Sequence, residues 1–331
     1  MAREITYRDA LREALHEEMD RDERVFLMGE DIGAYGGAYV VTRGFLEEYG
    51  RKRVRDTPIS ELGIVGVGIG AAMGGLRPIV ELMTINFSLL ALDQIVNHAA
   101  KLHYMFNGQF TAPIVIRTVS GWGQLGATHS QTFEGWFAHV PGLRVVMPAT
   151  PRDAKGLLKS AVRGQDPVIF IEHSLIYRNK GEVEEDELLL PLEGAEVRRE
   201  GTDVTIVSWS RGLYLALGAA DELARRGVQA EVIDMRVLRP LDIDTVVASV
   251  KKTNRLVTVE EGWRTGGLGA EIAAAVQEQA FDYLDAPIAR VASREVPMPY
   301  AKNLERLVVP DKDRVVEAVT EVIAPRKLAA V

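Results

Sequence analysis

Apolar positions recur along this chain in two periods. Tyr7, Leu11, Ala14, Leu15 and Met19 fall on one helical face. Thr6 and Asp9, just ahead of that stripe, have capping-box spacing, so the chain opens with an amphipathic helix. Short runs rich in branched residues follow at 25–28, 78–83, 113–119, 144–147 and 168–172. Between them lie helix-like stretches such as 87–104 and 151–163. Strand-length apolar runs alternating with helices predict an α/β fold, a mostly parallel sheet covered by helices.

Between Asn179 and Asp203 the chain turns polar and strongly charged, interrupted by Leu188, Leu189, Leu190 and Leu192. That change is read as a linker at 181–203, joining a first domain at 1–180 to a second at 204–331. The alternation then resumes with strands at 204–209, 230–233, 256–259 and 288–291. Helices are expected from Leu213 to a stop at Gly227, near 242–252, at 270–279 and at 314–323. The second domain is thus a smaller α/β unit, and no internal repeat is evident.

With 331 residues, 47% of them hydrophobic, the chain has apolar material for two cores. Its net charge of -8 comes from 47 acidic and 39 basic residues with neither sign in a long run. That argues against a nucleic-acid partner and against an anionic membrane surface. Cysteine is absent, which excludes disulfides, thiolate metal sites and a cysteine nucleophile. The first twenty residues lack an apolar core and are too acidic for a transit peptide, while 62–76, uncharged throughout, is too short and glycine-rich to span a bilayer. A soluble cytoplasmic protein is expected.

Gly66, Gly68 and Ala71 fit the dinucleotide fingerprint G-x-G-x-x-[G/A]. That motif needs a strand feeding the glycine turn, whereas Asp56 to Glu61 read as a loop and a polar helix start. The favoured reading is a helix whose small face lets another backbone pack closely. A second cluster, Gly266, Gly267 and Gly269, opens a helix and is a possible anion site.

The strings DTPISELGIVGVGIGAAMGGLRPIVELMTINFS, LDQIVNHAAKLHYM and GATHSQTFEGWFAHVPGLRVVMPATPRDAKGLLKSA stand in that order, followed by GTDVTIVSW, AEVIDMRVLRPLD, SVKKTNRLVTVEEG, YLDAPIARV and VPMPYAKNLE. In order and spacing they resemble the β-subunits of the E1 component of 2-oxoacid dehydrogenase complexes over nearly the whole chain. MTINFS and VPMPYAKNLE look like the pyruvate enzymes; acetoin and branched-chain 2-oxoacid dehydrogenases are the close alternatives. The resemblance implies a thiamine-diphosphate pyrimidine-binding domain followed by a transketolase C-terminal-like domain, working in an α2β2 heterotetramer. The GDG…N motif that binds Mg²⁺ and diphosphate in thiamine enzymes is not found, so Mg²⁺ is expected on the E1 α-subunit.

The resemblance also implies roles for single residues. Glu61 matches the glutamate that hydrogen-bonds N1′ of the aminopyrimidine and favours its 4′-imino tautomer; its apolar neighbours Leu62, Ile64 and Val65 would desolvate it. Without the match it would read as a first-turn helix glutamate. His129 matches the histidine that assists acyl transfer to the lipoyl group of E2, an acid–base task suited to imidazole. The other histidines keep a structural reading. Met83 and Phe87 match residues packed on the aminopyrimidine, and Glu30 and Glu81 match acidic positions around a tunnel joining paired cofactor sites. By pattern alone the first two are core and the second two ion-pair members. A potassium ion held mostly by carbonyls is implied at Ile114, Ala161, Val162, Gly164 and Asp166, where some relatives have Asp and Asn in place of Gly164 and Asp166. Asp285 matches a contact with the subunit-binding domain of E2, or else caps a turn. Two further readings are a stand-alone NAD(P) oxidoreductase using Gly66 to Ala71, and a non-catalytic scaffold, against which the retention of Glu61 and His129 speaks.

Overall fold

The computed structural model describes residues 2–324, so the last residues of the expected second domain, 325–331, lie outside the described residues. The chain divides into two units, 1–193 with 236–240, and 194–235 with 241–331.

The first unit is built on a seven-stranded sheet in the order Val237–Arg239, Arg144–Val146, Val168–His173, Val115–Ser120, Arg77–Leu82, Val25–Gly29, Val54–Asp56. All neighbours are parallel except Val237–Arg239, which runs antiparallel to Arg144–Val146. Central strands of a parallel sheet are covered on both faces, and so Val25–Gly29, Val115–Ser120 and Val168–His173 are buried along their whole length. The opening helix, Tyr7–Arg21, is capped by Thr6, whose hydroxyl accepts from Asp9 N at 3.1 Å. Pro151–Arg163 starts the same way, with Thr150 accepting from Asp153 N at 3.1 Å. These two helices pack together through charge as well as apolar contact: the fully buried Lys159 meets Glu17 at 2.5 Å and Glu187 at 2.9 Å.

One expectation is corrected. The stretch 87–104 is a broken path, a tight turn at Ile85–Ala91, a wide one at Gln94–Ala99 and a short helix at Leu102–Met105. Ser88 Oγ donates to Ile85 O at 2.5 Å, which favours the tighter winding at its start. The stretch 181–203 contains the division between the units and also carries strand: Lys180–Glu184 pairs antiparallel with Ala2–Thr6, and Glu196–Arg199 joins the second unit's sheet. Charged residues suit such edge strands, so polarity there marked exposure and not irregular backbone.

Gly66 to Ala71 lie wholly inside the helix Glu61–Met73, with no strand running into them. A Cβ on Gly68 would sit 2.8 Å from Val80 Cγ1 and 2.8 Å from Ile114 Cδ1. The missing side chain therefore lets this helix press against the sheet, which seats its first residue, Glu61. Among the described residues no helix is long and apolar enough to cross a membrane.

The second unit has a five-stranded sheet ordered Ala289–Ser293, Leu256–Trp263, Val204–Ser208, Ala230–Asp234, Glu196–Arg199, parallel except at the last pair. Glu260, buried on the longest of these strands, points its carboxylate at the start of the helix Leu268–Ala280. Gly269 N donates to Glu260 Oε1 at 3.2 Å, and a Cβ on Gly267 would lie 2.6 Å from Oε2. The second glycine cluster thus receives an anion from its own chain. Burial pushes the Glu260 carboxyl up to about 7, against the pull of the helix N-terminus and of Arg290, 3.7 Å away. A carboxyl raised on folding contributes stability that is complete below its ordinary value of 4.5 and is lost as pH rises through about 7. Glu260→Gln should therefore gain on the wild type between pH 5 and 8, by up to about 3 kcal/mol. Urea unfolding of both proteins across that range checks this; a difference that does not change with pH would refute it.

Candidate active site

The order of strands in the first unit reverses at one place. From Val25–Gly29 the chain passes to Val54–Asp56 on one side, and next to Arg77–Leu82 on the other. In open α/β sheets the crevice beyond the strand ends at such a reversal is where ligands bind. Glu30 directly follows the first of these strands, Glu61 opens the helix after the second, and Glu81 and Met83 stand at the end of the third.

Glu30 and Glu61 are 9% and 4% exposed, so neither carboxyl is freely hydrated. Burial, and then the charge of Glu61, hold the Glu30 carboxyl above the ordinary range. Oε1 of Glu30 is buried with no hydrogen-bond partner among the described residues. A buried acceptor without a donor, beside a second buried carboxyl, is a place for a polar ligand or for a held proton. The hydroxyl of Ser60 does not cap the helix at Glu61, so the first-turn N–H groups also keep their field.

One wall is apolar. Met83 leads into the turn Ile85–Ala91, which presents Phe87, and both side chains are half-buried. The Phe87 ring meets that of His129 edge-on, with centroids 5.3 Å apart and planes at 85°. His129 is exposed, its Nδ1 3.0 Å from Thr128 Oγ1. Gln131 donates from N and Nε2 to Asn86 Oδ1 at 3.2 and 3.3 Å, tying the His129 loop to the Phe87 turn. The fold thus brings Glu30 to Glu61 and Phe87 to His129.

Glu81 has a different setting. Its Oε2 accepts from Arg117 Nη1 at 2.8 Å; Arg117 Nε donates to Glu172 Oε1 at 2.7 Å, and the Tyr177 hydroxyl donates to Glu172 Oε2 at 2.6 Å. Burial alone would depress the Arg117 guanidinium, but Glu172 and Glu81 outweigh it and raise it above its usual value. Tyr39 stacks on Tyr177 with ring centroids 5.0 Å apart. Arg117, Glu172, Tyr177, Asn86 and Gln131 escaped the sequence reading. A signal existed for the first two, since a charge inside the apolar runs 113–119 and 168–172 needs a buried partner.

The positions expected to hold potassium gather where the Pro151–Arg163 helix ends and the next strand begins, with Ile114 opposite: Val168 N donates to Ile114 O at 2.9 Å. Two of those carbonyls, of Val162 and Gly164, each accept from Arg77 Nη1 at 2.8 Å. In the second unit, Asp285 is exposed, 3.2 Å from Arg255 Nη2, on a cleft of about 360 Å³ also lined by Pro287, Ile288 and Glu321.

The family description of the transketolase pyrimidine-binding domain matches residues 3–180, and that of the transketolase C-terminal domain matches 193–315. The chain is 54% identical to "Pyruvate dehydrogenase E1 component subunit beta" of Rhizobium meliloti (strain 1021), over 96% of this chain and 70% of that protein. It is 52% identical to the protein of the same name from Rickettsia felis, over 96% of this chain and 98% of the other. Against the mitochondrial subunit beta-2 of Oryza sativa subsp. japonica it is 52% identical, over 96% and 86%. Among solved structures, "Split gene transketolase, inactive beta4 tetramer" superposes with a TM-score of 0.80 at 24% identity, covering 96% of this chain and 98% of that one, a likeness of fold.

Proposed function

The chain belongs to the family of pyruvate dehydrogenase E1 β-subunits, and on that premise we propose how its residues divide the work of a thiamine-diphosphate enzyme acting on pyruvate. The observation that carries the reading is the Glu30–Glu61 pair, two buried carboxyls at the reversal of strand order, one with an oxygen lacking any partner among the described residues. Thiamine diphosphate, when bound, supplies an electron sink for the carbon that loses carboxylate. Glu61 holds a proton at N1′ of the pyrimidine. Glu30, whose carboxyl is raised by burial and by the charge of Glu61, is the second acidic group beside that proton. Met83 and Phe87 press on the ring and exclude water. His129, exposed at the mouth and braced by Phe87, moves a proton as the acyl group passes to the lipoyl arm.

The E1 α-subunit, in an α2β2 heterotetramer, is proposed to bring the diphosphate and Mg²⁺ ligands. Glu81 serves less as a cofactor contact than as a brace, because Arg117 already holds it. Pyruvate is preferred over branched-chain 2-oxoacids and acetoin on the names of the relatives. A cytoplasmic setting accords with the bacterial relatives, while the rice ones are named mitochondrial.

Purified alone, the chain should not decarboxylate pyruvate, and adding the α-subunit should restore turnover. Glu61→Gln should leave the heterotetramer intact on a sizing column yet lower turnover by about 10²–10⁴, the usual contribution of a general acid–base group. Robust activity from the chain alone would sink the subunit reading; near-normal turnover in the assembled variant would remove Glu61 from the chemistry.

Asp285 is proposed to meet a basic surface on E2. Its carboxylate lies 3.2 Å from Nη2 of the half-buried Arg255, an ion pair that a basic partner can replace. Asp285→Lys should weaken E2 binding measured by calorimetry, and wild-type affinity should fall with added salt as exposed charges are screened. Equal affinity of variant and wild type would place the contact elsewhere.

A further inference from the structure

We propose that in this chain the guanidinium of Arg77 fills the carbonyl cradle at the end of the Pro151–Arg163 helix, in place of the potassium ion that the resemblance implies. Four of the expected carbonyls already accept a hydrogen bond, and two of them accept it from a cation. Val162 O and Gly164 O each accept from Arg77 Nη1 at 2.8 Å. Ile114 O accepts from Val168 N at 2.9 Å, and Ala161 O from Gly164 N at 3.3 Å. The side chain of the fifth, Asp166, is held by Arg144 Nε at 2.6 Å, and Arg144 Nη1 also donates to Leu192 O at 2.9 Å.

The chemistry explains why one cation can stand for another here. The last carbonyls of a helix lack intrahelical donors and carry the negative end of its dipole, so a positive group is favoured there whatever its identity. A guanidinium adds directional N–H donors that a spherical ion lacks. Arg77 starts the strand Arg77–Leu82, and its backbone N–H donates to Arg24 O at 2.9 Å, which fixes its root; only 12% of its side chain is exposed. Nη1 lies at contact distance from both carbonyls, so a metal ion sharing them would stand against a like charge.

The two carboxylates that act on Arg77, Asp22 and Glu18, are each held more closely by other arginines, Glu18 by Arg21 and Arg163. Asp22 lies 3.9 Å from Arg77 Nε but is bound more closely by Arg24, at 2.7 Å. Burial first, and then Arg24, already lower the hold of the Arg77 guanidinium on its proton. A further cation would add to the same strain. The ion's structural task, joining the helix end to the sheet, is thus performed by a group that cannot dissociate and does not vary with salt.

The inference is independent of the catalytic reading, and its test uses unfolding alone. The full-length chain is melted in KCl and in choline chloride at matched ionic strength. The wild type should give midpoints within about 1 °C of each other; a rise specific to potassium would overturn the proposal. Arg77→Ala should melt lower and should regain about 2–4 °C in KCl relative to choline chloride, since the emptied carbonyls become available. Should that variant not fold in choline chloride, refolding in KCl reads the same point. A variant indifferent to potassium in both respects would show that the carbonyls are no ion cradle, and the proposal fails. Arg77→Lys, which retains a cation near the same carbonyls, should fold and show no preference for potassium; a preference there also counts against it.

Discussion

Arg117 lies in the middle of a parallel sheet, 2% exposed, with a carboxylate on either side of it. Glu81 is its register partner on the neighbouring strand, and Glu172 belongs to the strand on the other flank. The guanidinium therefore stitches three strands together across the end where the crevice opens. A charge so buried is tolerated only with its partners in place, and removing one partner of such a set costs about 3–5 kcal/mol. One wall of the candidate site stands on that stitched end: Met83 and the turn bearing Phe87 leave from the Glu81 strand, and the His129 loop leaves from the Arg117 strand.

The carboxyls around the crevice divide by what they touch. Glu81 is held by Arg117, and Glu172 by Arg117 and Tyr177, and both hold the frame. Glu30 is left with an unmatched oxygen and a raised carboxyl beside Glu61. The resemblance placed Glu30 and Glu81 in one class, and their side-chain partners separate them. The same distinction recurs in the second unit, where Glu260 is enclosed by its own helix terminus and is not free to receive a ligand's cation or cede its place to an anion.

What could be read without coordinates was local. Thr6 and its helix, the apolar runs and the close-packing role of Gly68 follow from short-range periodicity and from the size of a Cβ. The string resemblance then pointed to Glu61, which the fold buries, and to His129, which it leaves exposed beside Phe87. What was missed depends on residues far apart in the chain. Arg117 and Glu172 are 55 positions apart, Asn86 and Gln131 are 45 apart, and no window joins them. The glycines at 266–269 advertised an anion site correctly, but its occupant, Glu260, lies on the preceding strand. The charged stretch 181–203 contains the boundary between the two units, and it carries edge strands whose pairing its charge did not announce.

The strand Val237–Arg239 belongs to the first unit although forty-odd residues of the second precede it in the chain. It is held by Met147 N donating to Arg236 O at 2.8 Å, by Arg236 meeting Asp153 at 2.9 Å, and by Arg239 Nη1 donating to Ala138 O at 2.6 Å. A ribosome delivers the first six strands of that sheet well before the seventh. Until residue 240 emerges, the Arg144–Val146 strand is an open edge with unpaired amides, the kind of template on which nascent chains stick to one another. The two units therefore cannot be produced as consecutive halves by a single cut, and the order of synthesis obliges much of the second to be made before the first is closed.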